Sequence, residues 1–157
     1  MNILGISEGF HDAAVCVLKN NKIMFASQAE RFSGVKNDKW IHSSQLPKTK
    51  IYQPDVIAYY EKPFRKNLRR LYAGQKWQKV RMPYNVCYGH HESHAAAGYY
   101  TSPFDDCNVL VIDAIGEWDT ISIWEATTEK KHLGHRTHKL KKIKSWKYPY
   151  SLGLLYS

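Results

Sequence analysis

Two histidines and one aspartate are the residues whose types and spacing best suit chemistry. His90 and His94 lie four residues apart in an alanine-rich stretch, so on a helix both imidazoles would project from one face. Asp113 ends an apolar run, and α/β folds place ligands at strand ends. Two imidazoles and a carboxylate suit non-haem iron and related divalent ions, so the three residues are candidate metal ligands. Ordinary alternatives stay open, because such pairs are more often surface or core histidines and Asp113 could cap the next turn.

A second polar cluster spans residues 7–12, between two predicted strands. A short polar loop that contains glycine can present backbone N–H groups to an anion, so Ser7, Gly9 and Asp12 are candidate binding residues. His11 could accept a proton, or it could be a neutral turn histidine. Lys36 could neutralise a phosphate, although an ordinary surface lysine is the simpler interpretation.

Strands and helices must position these side chains, and the sequence predicts most of them. A meander comes first, with Asn20-Asn21 as a tight turn because asparagine tolerates the positive φ that such turns need. Residues 30–49 read as irregular, and Pro103 ends the second predicted helix. The strands are predicted at 2–6, 13–18, 23–26, 55–60, 84–88, 108–113 and 120–124, the helices at 67–72 and 90–97, an exposed strand or hairpin from 130, and an apolar helix over 150–157.

Length and composition indicate one folded domain, or a piece of a larger one, in a chain of 157 residues with 43% hydrophobic residues. No run approaches the roughly 18 apolar residues of a membrane helix, and the start lacks a signal-peptide pattern. We therefore expect a cytoplasmic protein with no membrane partner. The three cysteines have no C-x-x-C spacing and are expected to be reduced core residues.

The net charge of +9 is concentrated in two stretches. Residues 62–81 hold eight basic residues and no acidic one, and residues 130–147 hold eight more basic residues. Such fields attract anions. Solvated surface around an anionic substrate site is the favoured interpretation, and a nucleic-acid surface is the less favoured one.

Taken together, the motifs resemble the O-carbamoyltransferases of nodulation and antibiotic biosynthesis. No single motif is specific, but their order and spacing hold over essentially all 157 residues. The motifs are Ile3-Leu4-Gly5-Ile6-Ser7 with His11-Asp12-Ala13-Ala14, Glu30-Arg31-Phe32 with Lys36, His90-His91-x-Ser93-His94-Ala95-Ala96, Ser102-Pro103-Phe104, and Asp113-x-x-Gly116-Glu117 with Thr120.

The resemblance implies an actin-like ATPase fold of the sugar-kinase and chaperone type, similar to the transferase that threonylcarbamoylates tRNA. It also implies transfer of a carbamoyl group to a hydroxyl of a small molecule. The donor would be carbamoyl adenylate, made from carbamoyl phosphate and ATP in a carboxy-terminal domain. Under this resemblance the chain, residues 1–157, is the amino-terminal portion and first lobe only, with a mixed sheet and flanking helices. A second lobe and the adenylate-forming domain would be absent.

The resemblance also assigns residues to roles. His90, His94 and Asp113 match metal ligands, with iron(II) the expected ion and a further aspartate expected beyond Ser157. His11 and Lys36 match positions near the transferred group. Gly116, Glu117 and Thr120, with Ser7, Gly9 and Asp12, are expected to contact the nucleotide-derived donor.

The sequence departs from the family pattern at two aligned positions. Asn37 stands where a histidine commonly follows the lysine, and Ala114 stands where a glycine commonly follows the aspartate. Neither change removes a proposed ligand, although Ala114 alters how closely the loop can approach a phosphate.

Two competing functions remain open at this stage. One is a tRNA carbamoyl-transferring relative, which the basic stretches favour, although nucleic acid is not the expected partner. The other is a non-catalytic module that binds a metal or a partner, with a second chain completing the fold.

Overall fold

The computed structural model describes residues 1–130 and 136–156, without the side chain of Lys130. The chain divides into two compact units, Met1–Tyr88 and Gly89–Ser157. Among the helices of the described residues, none is long and apolar enough to cross a membrane.

The first unit is built on a five-stranded mixed sheet in the order β3-β2-β1-β4-β5. The first three strands form the predicted antiparallel meander, whereas β4 and β5 run parallel to β1. Leu4, Ile6, Val15, Val17 and Tyr59 form the buried core on this sheet. The elements are β1 (Asn2–Ser7), β2 (Ala14–Lys19), β3 (Lys22–Gln28), α1 (Glu30–Ser33), α2 (Gln45–Lys50), β4 (Val56–Tyr59), α3 (Pro63–Tyr72) and β5 (Val86–Cys87).

Asn20 and Asn21 form the predicted tight turn, with φ values of 50° and 62°. Both residues occupy the left-handed region that a type I′ hairpin requires, so the local sequence fixes the register of β2 and β3.

Three local predictions were wrong in detail. Residues 30–49 are not wholly irregular, because α1 and α2 form single turns there. Helix α3 begins at Pro63, four residues earlier than predicted, since proline is favoured at a helix start. Strand β5 is only two residues long, because its pairing with β4 covers just Val86 and Cys87.

The second unit contains a separate three-stranded antiparallel sheet in the order β6-β7-β8. These strands satisfy one another's backbone groups through consecutive hairpin pairing. Ala95, Val111 and Trp124 form the small core between helix and sheet. The elements are α4 (His90–Tyr100), β6 (Cys107–Gly116), β7 (Asp119–Lys130), β8 (Arg136–Lys147) and α5 (Leu152–Tyr156).

The basic segment and the last apolar segment follow their predictions where they are described. Strand β8 pairs with β7 along its length, and most of its side chains are exposed. Helix α5 forms the predicted apolar turns. Residues 131–135 and Ser157 lie outside the described part of the chain.

Candidate metal centre

Helix α4 begins directly at the first candidate ligand. Gly89 is extended, and its N–H donates to the Glu92 carboxylate at 3.0 Å, which fixes the first turn. His90 and His94 consequently stand one turn apart with ring centroids 4.7 Å apart, and their Nε2 atoms are separated by 3.0 Å.

Asp113 lies within β6 rather than at its end, which corrects the sequence-based expectation. The pairing of β6 with β7 is irregular between Ile112 and Gly116, so the strand continues to Gly116 but its ladder is interrupted around Asp113. This interruption resembles a bulge, a feature that re-aims side chains. One carboxylate oxygen, Oδ2, lies 2.8 Å from His90 Nε2, and the other accepts a hydrogen bond from the Ala114 N–H at 2.6 Å.

His90, His94 and Asp113 each offer one ligand atom, and these atoms lie within 4.8 Å of one another. Atoms bound to one ion at about 2.1 Å and at roughly a right angle would lie about 3 Å apart. The observed separations of 3.0 Å and 2.8 Å fit that requirement. One proton can bridge only two of these three atoms. A divalent cation can accept a lone pair from each of the three, so it suits this set of donors.

The electrostatics favour the deprotonated forms that metal ligands need. The hydrogen bond from His90 lowers the pKa of Asp113 to about 2, against the opposing effect of partial desolvation. Partial desolvation lowers the pKa of His94, and the nearby His90 adds to that effect. Asp113 is therefore ionised near neutral pH, and His94 favours its neutral form.

Two glycines bring backbone segments close to the cluster. A Cβ on Gly116 would lie 2.4 Å from His90 Cδ2 and 2.7 Å from His91 Cδ2. A Cβ on Gly153 would lie 2.6 Å from the carbonyl carbon and oxygen of Asp113. Both contacts are too short for a side chain, so glycine at 116 permits the close approach of β6 to α4, and glycine at 153 permits the close approach of α5 to β6.

His91 is a residue that sequence reasoning missed. It is buried, and its Nδ1 lies 2.7 Å from the Ser122 hydroxyl, which also accepts a hydrogen bond from Trp124 Nε1 at 2.8 Å. This chain of hydrogen bonds attaches the first turn of α4 to β7. The only sequence signal was the His90-His91 pair, and nothing in it distinguished the inward from the outward ring.

Glu117 and Thr120, expected near the donor, are both buried. Glu117 has a φ of 56° in the tight turn between β6 and β7. The Thr120 hydroxyl donates to the carbonyls of Tyr150 and Trp146. In this structure, that hydroxyl therefore joins β7 to the segment before α5.

The other candidates belong to the unit Met1–Tyr88. His11 is exposed, and its Nδ1 lies 2.6 Å from Asp12 Oδ2. The Gly9 N–H donates to the Lys39 carbonyl, so this amide is engaged within the protein. Ser7 is half-buried, and Lys36 is exposed.

Buried polar groups behind the loop were not predicted. The Glu8 carboxylate accepts hydrogen bonds from the backbone N–H groups of Arg81 and Met82, and the Tyr59 hydroxyl donates to the Glu8 carbonyl at 3.0 Å. Burial, with the neighbouring Glu8 and Glu61 carboxylates, raises the pKa of Tyr59 above its ordinary range. Long-range polar contacts of this kind leave no periodic trace in a sequence.

The architecture and the converging side chains define an α/β protein with a candidate divalent-metal centre. A family model described as carbamoyltransferase N-terminus matches residues 52–157, and the chain belongs to that family. The matched range contains all three candidate ligands.

A relative is known in Synechocystis sp., the uncharacterized protein sll1178. It is 28% identical over an alignment that covers 99% of this chain and 31% of the relative. The chain thus spans about a third of the length of the relative that it matches.

Proposed function

We propose that the protein contributes the amino-terminal part of an O-carbamoyltransferase. The reaction transfers the carbamoyl group of carbamoyl adenylate, made from carbamoyl phosphate and ATP, to a hydroxyl of a small-molecule acceptor. The observation that carries the proposal is the cluster of His90, His94 and Asp113 inside the region that matches the family. The proposed architecture of the complete enzyme is the actin-like ATPase fold.

His90, His94 and Asp113 would hold a divalent ion, with iron(II) the proposed metal. When bound, such an ion acts as a Lewis acid toward a phosphate or carbonyl oxygen. The interrupted ladder around Asp113 and the hydrogen bond from Ala114 orient the carboxylate, while the Ser122 contact of His91 holds the start of α4. These contacts keep the three donors close together without the ion having to order them.

The remaining roles are assigned to residues of the loop and of the segment after β3. The acceptor oxygen would bond to the carbamoyl carbon as the bond from that carbon to the adenylate oxygen breaks. His11 would accept the acceptor's proton, and its contact with Asp12 would orient the ring and stabilise the imidazolium. Lys36 would offset the negative charge of the leaving phosphate. Ser7, Gly9, Gly116, Glu117 and Thr120 are proposed to shape the donor site.

A non-catalytic metal- or partner-binding role is the competing function. It would need only the cluster of His90, His94 and Asp113, whereas catalysis needs further groups on opposite sides of the reacting atom.

The test combines the chain with a separately expressed polypeptide that comprises the part of the Synechocystis relative outside the match. Both are incubated with iron(II), ATP, radiolabelled carbamoyl phosphate and a panel of hydroxylated acceptors. We expect labelled acceptor only when both polypeptides are present. His90→Ala/His94→Ala should abolish labelling, and His42→Ala is the matched control. Transfer by the chain alone, or by the double variant at the wild-type rate, would contradict the proposal.

A further inference from the structure

Helix α3 is attached to the first unit through polar side chains instead of apolar ones. Its buried residues are Lys66 and Asn67. Lys66 forms a buried ion pair with Glu61, and Asn67 exchanges two hydrogen bonds with the backbone of Gln78, at 2.9 Å and 2.8 Å. A helix on a protein surface ordinarily buries its apolar stripe, so α3 has the opposite orientation.

The apolar side chains of α3 form one exposed stripe. Phe64, Leu68, Leu71 and Tyr72 follow the spacing of a single helix face and are exposed by 63%, 43%, 49% and 75%. Trp77, which is 51% exposed, extends the stripe because its ring contacts Phe64 at a centroid distance of 6.3 Å. We call these five residues the α3 stripe. Contiguous exposed apolar surface of this kind marks an interaction site.

The segment that carries the α3 stripe is basic. Residues 62–81 contain eight lysines and arginines and no acidic residue. Arg65, Lys76 and Lys79 are exposed beside the stripe. An anionic partner that also accepts large apolar side chains would match this surface.

We infer that the α3 stripe binds a membrane surface rich in anionic lipid. A nucleic acid would match the charge and could stack on Phe64, Tyr72 and Trp77, but it offers no apolar contact for Leu68 and Leu71 at the centre of the stripe. The boundary between headgroups and acyl chains accepts leucines, favours tryptophan and tyrosine, and attracts lysine and arginine. Charge and side-chain chemistry thus point to the same partner.

The inference changes one expectation drawn from the sequence. The expected lack of a membrane partner rested on the absence of a spanning segment, whereas an amphipathic helix can lie flat in the interface. The orientation of α3, which the sequence pattern did not reveal, makes the difference.

Co-sedimentation with vesicles tests the inference. The chain is mixed with vesicles of phosphatidylcholine alone or with equal parts phosphatidylglycerol, at low and high salt. We expect binding to the anionic vesicles that weakens with salt, and little binding to the neutral ones. Leu68→Glu/Leu71→Glu should reduce binding at least about tenfold. Leu110→Glu/Ile143→Glu, the same change at exposed positions of β6 and β8, should leave binding unchanged.

A second measurement does not depend on a disruptive variant. Brominated lipids should quench the fluorescence of the bound protein, and Trp77→Phe should remove most of that quenching without removing binding. Equal losses in the two double variants, or quenching unaffected by Trp77→Phe, would overturn the inference. A failure of the wild type to bind anionic vesicles would also overturn it. So would a result in which Leu68→Glu/Leu71→Glu leaves vesicle binding unchanged but abolishes a tRNA shift or self-association.

Discussion

Tyr59 joins the core of the first unit to the polar loop after β1. Its ring belongs to the buried cluster, and its hydroxyl donates to the Glu8 carbonyl. Because burial disfavours the phenolate, the pKa of Tyr59 is raised, so the folded protein keeps a proton that the unfolded chain releases near pH 10. The contribution of this group to stability is full below that pH and is lost as the pH rises above it.

The loss of this contribution to stability at high pH gives a prediction for Tyr59→Phe. At pH 8 the variant should be less stable by about 1 kcal/mol, the usual net value of a lost hydrogen bond. Between pH 8 and pH 11 the wild type should lose about 1.4 kcal/mol relative to the variant, which cannot ionise at this position. The two free energies of unfolding, measured with urea, should then be nearly equal at pH 11. Parallel pH curves for the two proteins would contradict the burial of an un-ionised hydroxyl.

Among individual residues, those that share a local pattern could be predicted and those that depend on distant contacts could not. The placement of His90 and His94 on one helix face could be predicted because helix geometry follows from local sequence, whereas the position of Asp113 inside β6 could not. Their actual convergence, the inward turn of His91 and the burial of Glu8 depend on contacts between segments far apart in the chain.

At the scale of elements, the close packing of α4 against the end of β6 is the feature that positions the candidate ligands. Gly116 permits this approach, since any Cβ there would overlap the rings of His90 and His91. The Gly116 motif was expected to contact the donor, and the structure gives it a packing role that needs no ligand.

Gly116→Ala should therefore weaken cobalt(II) binding by roughly 10–100-fold, as changes beside metal ligands commonly do. Gly98→Ala, in α4, is the matched control, because a Cβ on Gly98 would meet Val109 Cγ1 of β6 at an ordinary 3.7 Å. It should keep wild-type affinity. Equal affinities for the two variants, measured by cobalt titration, would show that the approach of α4 does not position the ligands.

Among the elements, the meander and its Asn20-Asn21 turn could be predicted because a strand period and a turn dipeptide are local signals. The orientation of α3 could not be predicted, because its pattern of apolar residues is that of an ordinary core-facing helix. The buried Lys66 and Asn67 reverse that orientation through partners outside the helix.

At the scale of the whole molecule, an α/β architecture follows from the sequence, but the division into two sheets does not. Strands β6, β7 and β8 pair consecutively in a sheet of their own. The side chains of a strand alternate between two faces in the same way in a small sheet and in a large one, so the sequence pattern does not show which sheet a strand joins. The family match covers the second unit, Gly89–Ser157, and the three residues of the candidate metal centre all lie within that unit.

Cobalt(II) titration of the full chain is the measurement that tests the central claim most directly. The claim is that His90, His94 and Asp113 form one divalent-metal site. We predict that the wild type binds one equivalent of cobalt(II) with modest affinity and that iron(II) competes with it under anaerobic conditions. Both His90→Ala/His94→Ala and Asp113→Ala should lose binding. His42→Ala, the control, should bind like the wild type. Equal binding by the wild type and the His90→Ala/His94→Ala variant would contradict the claim.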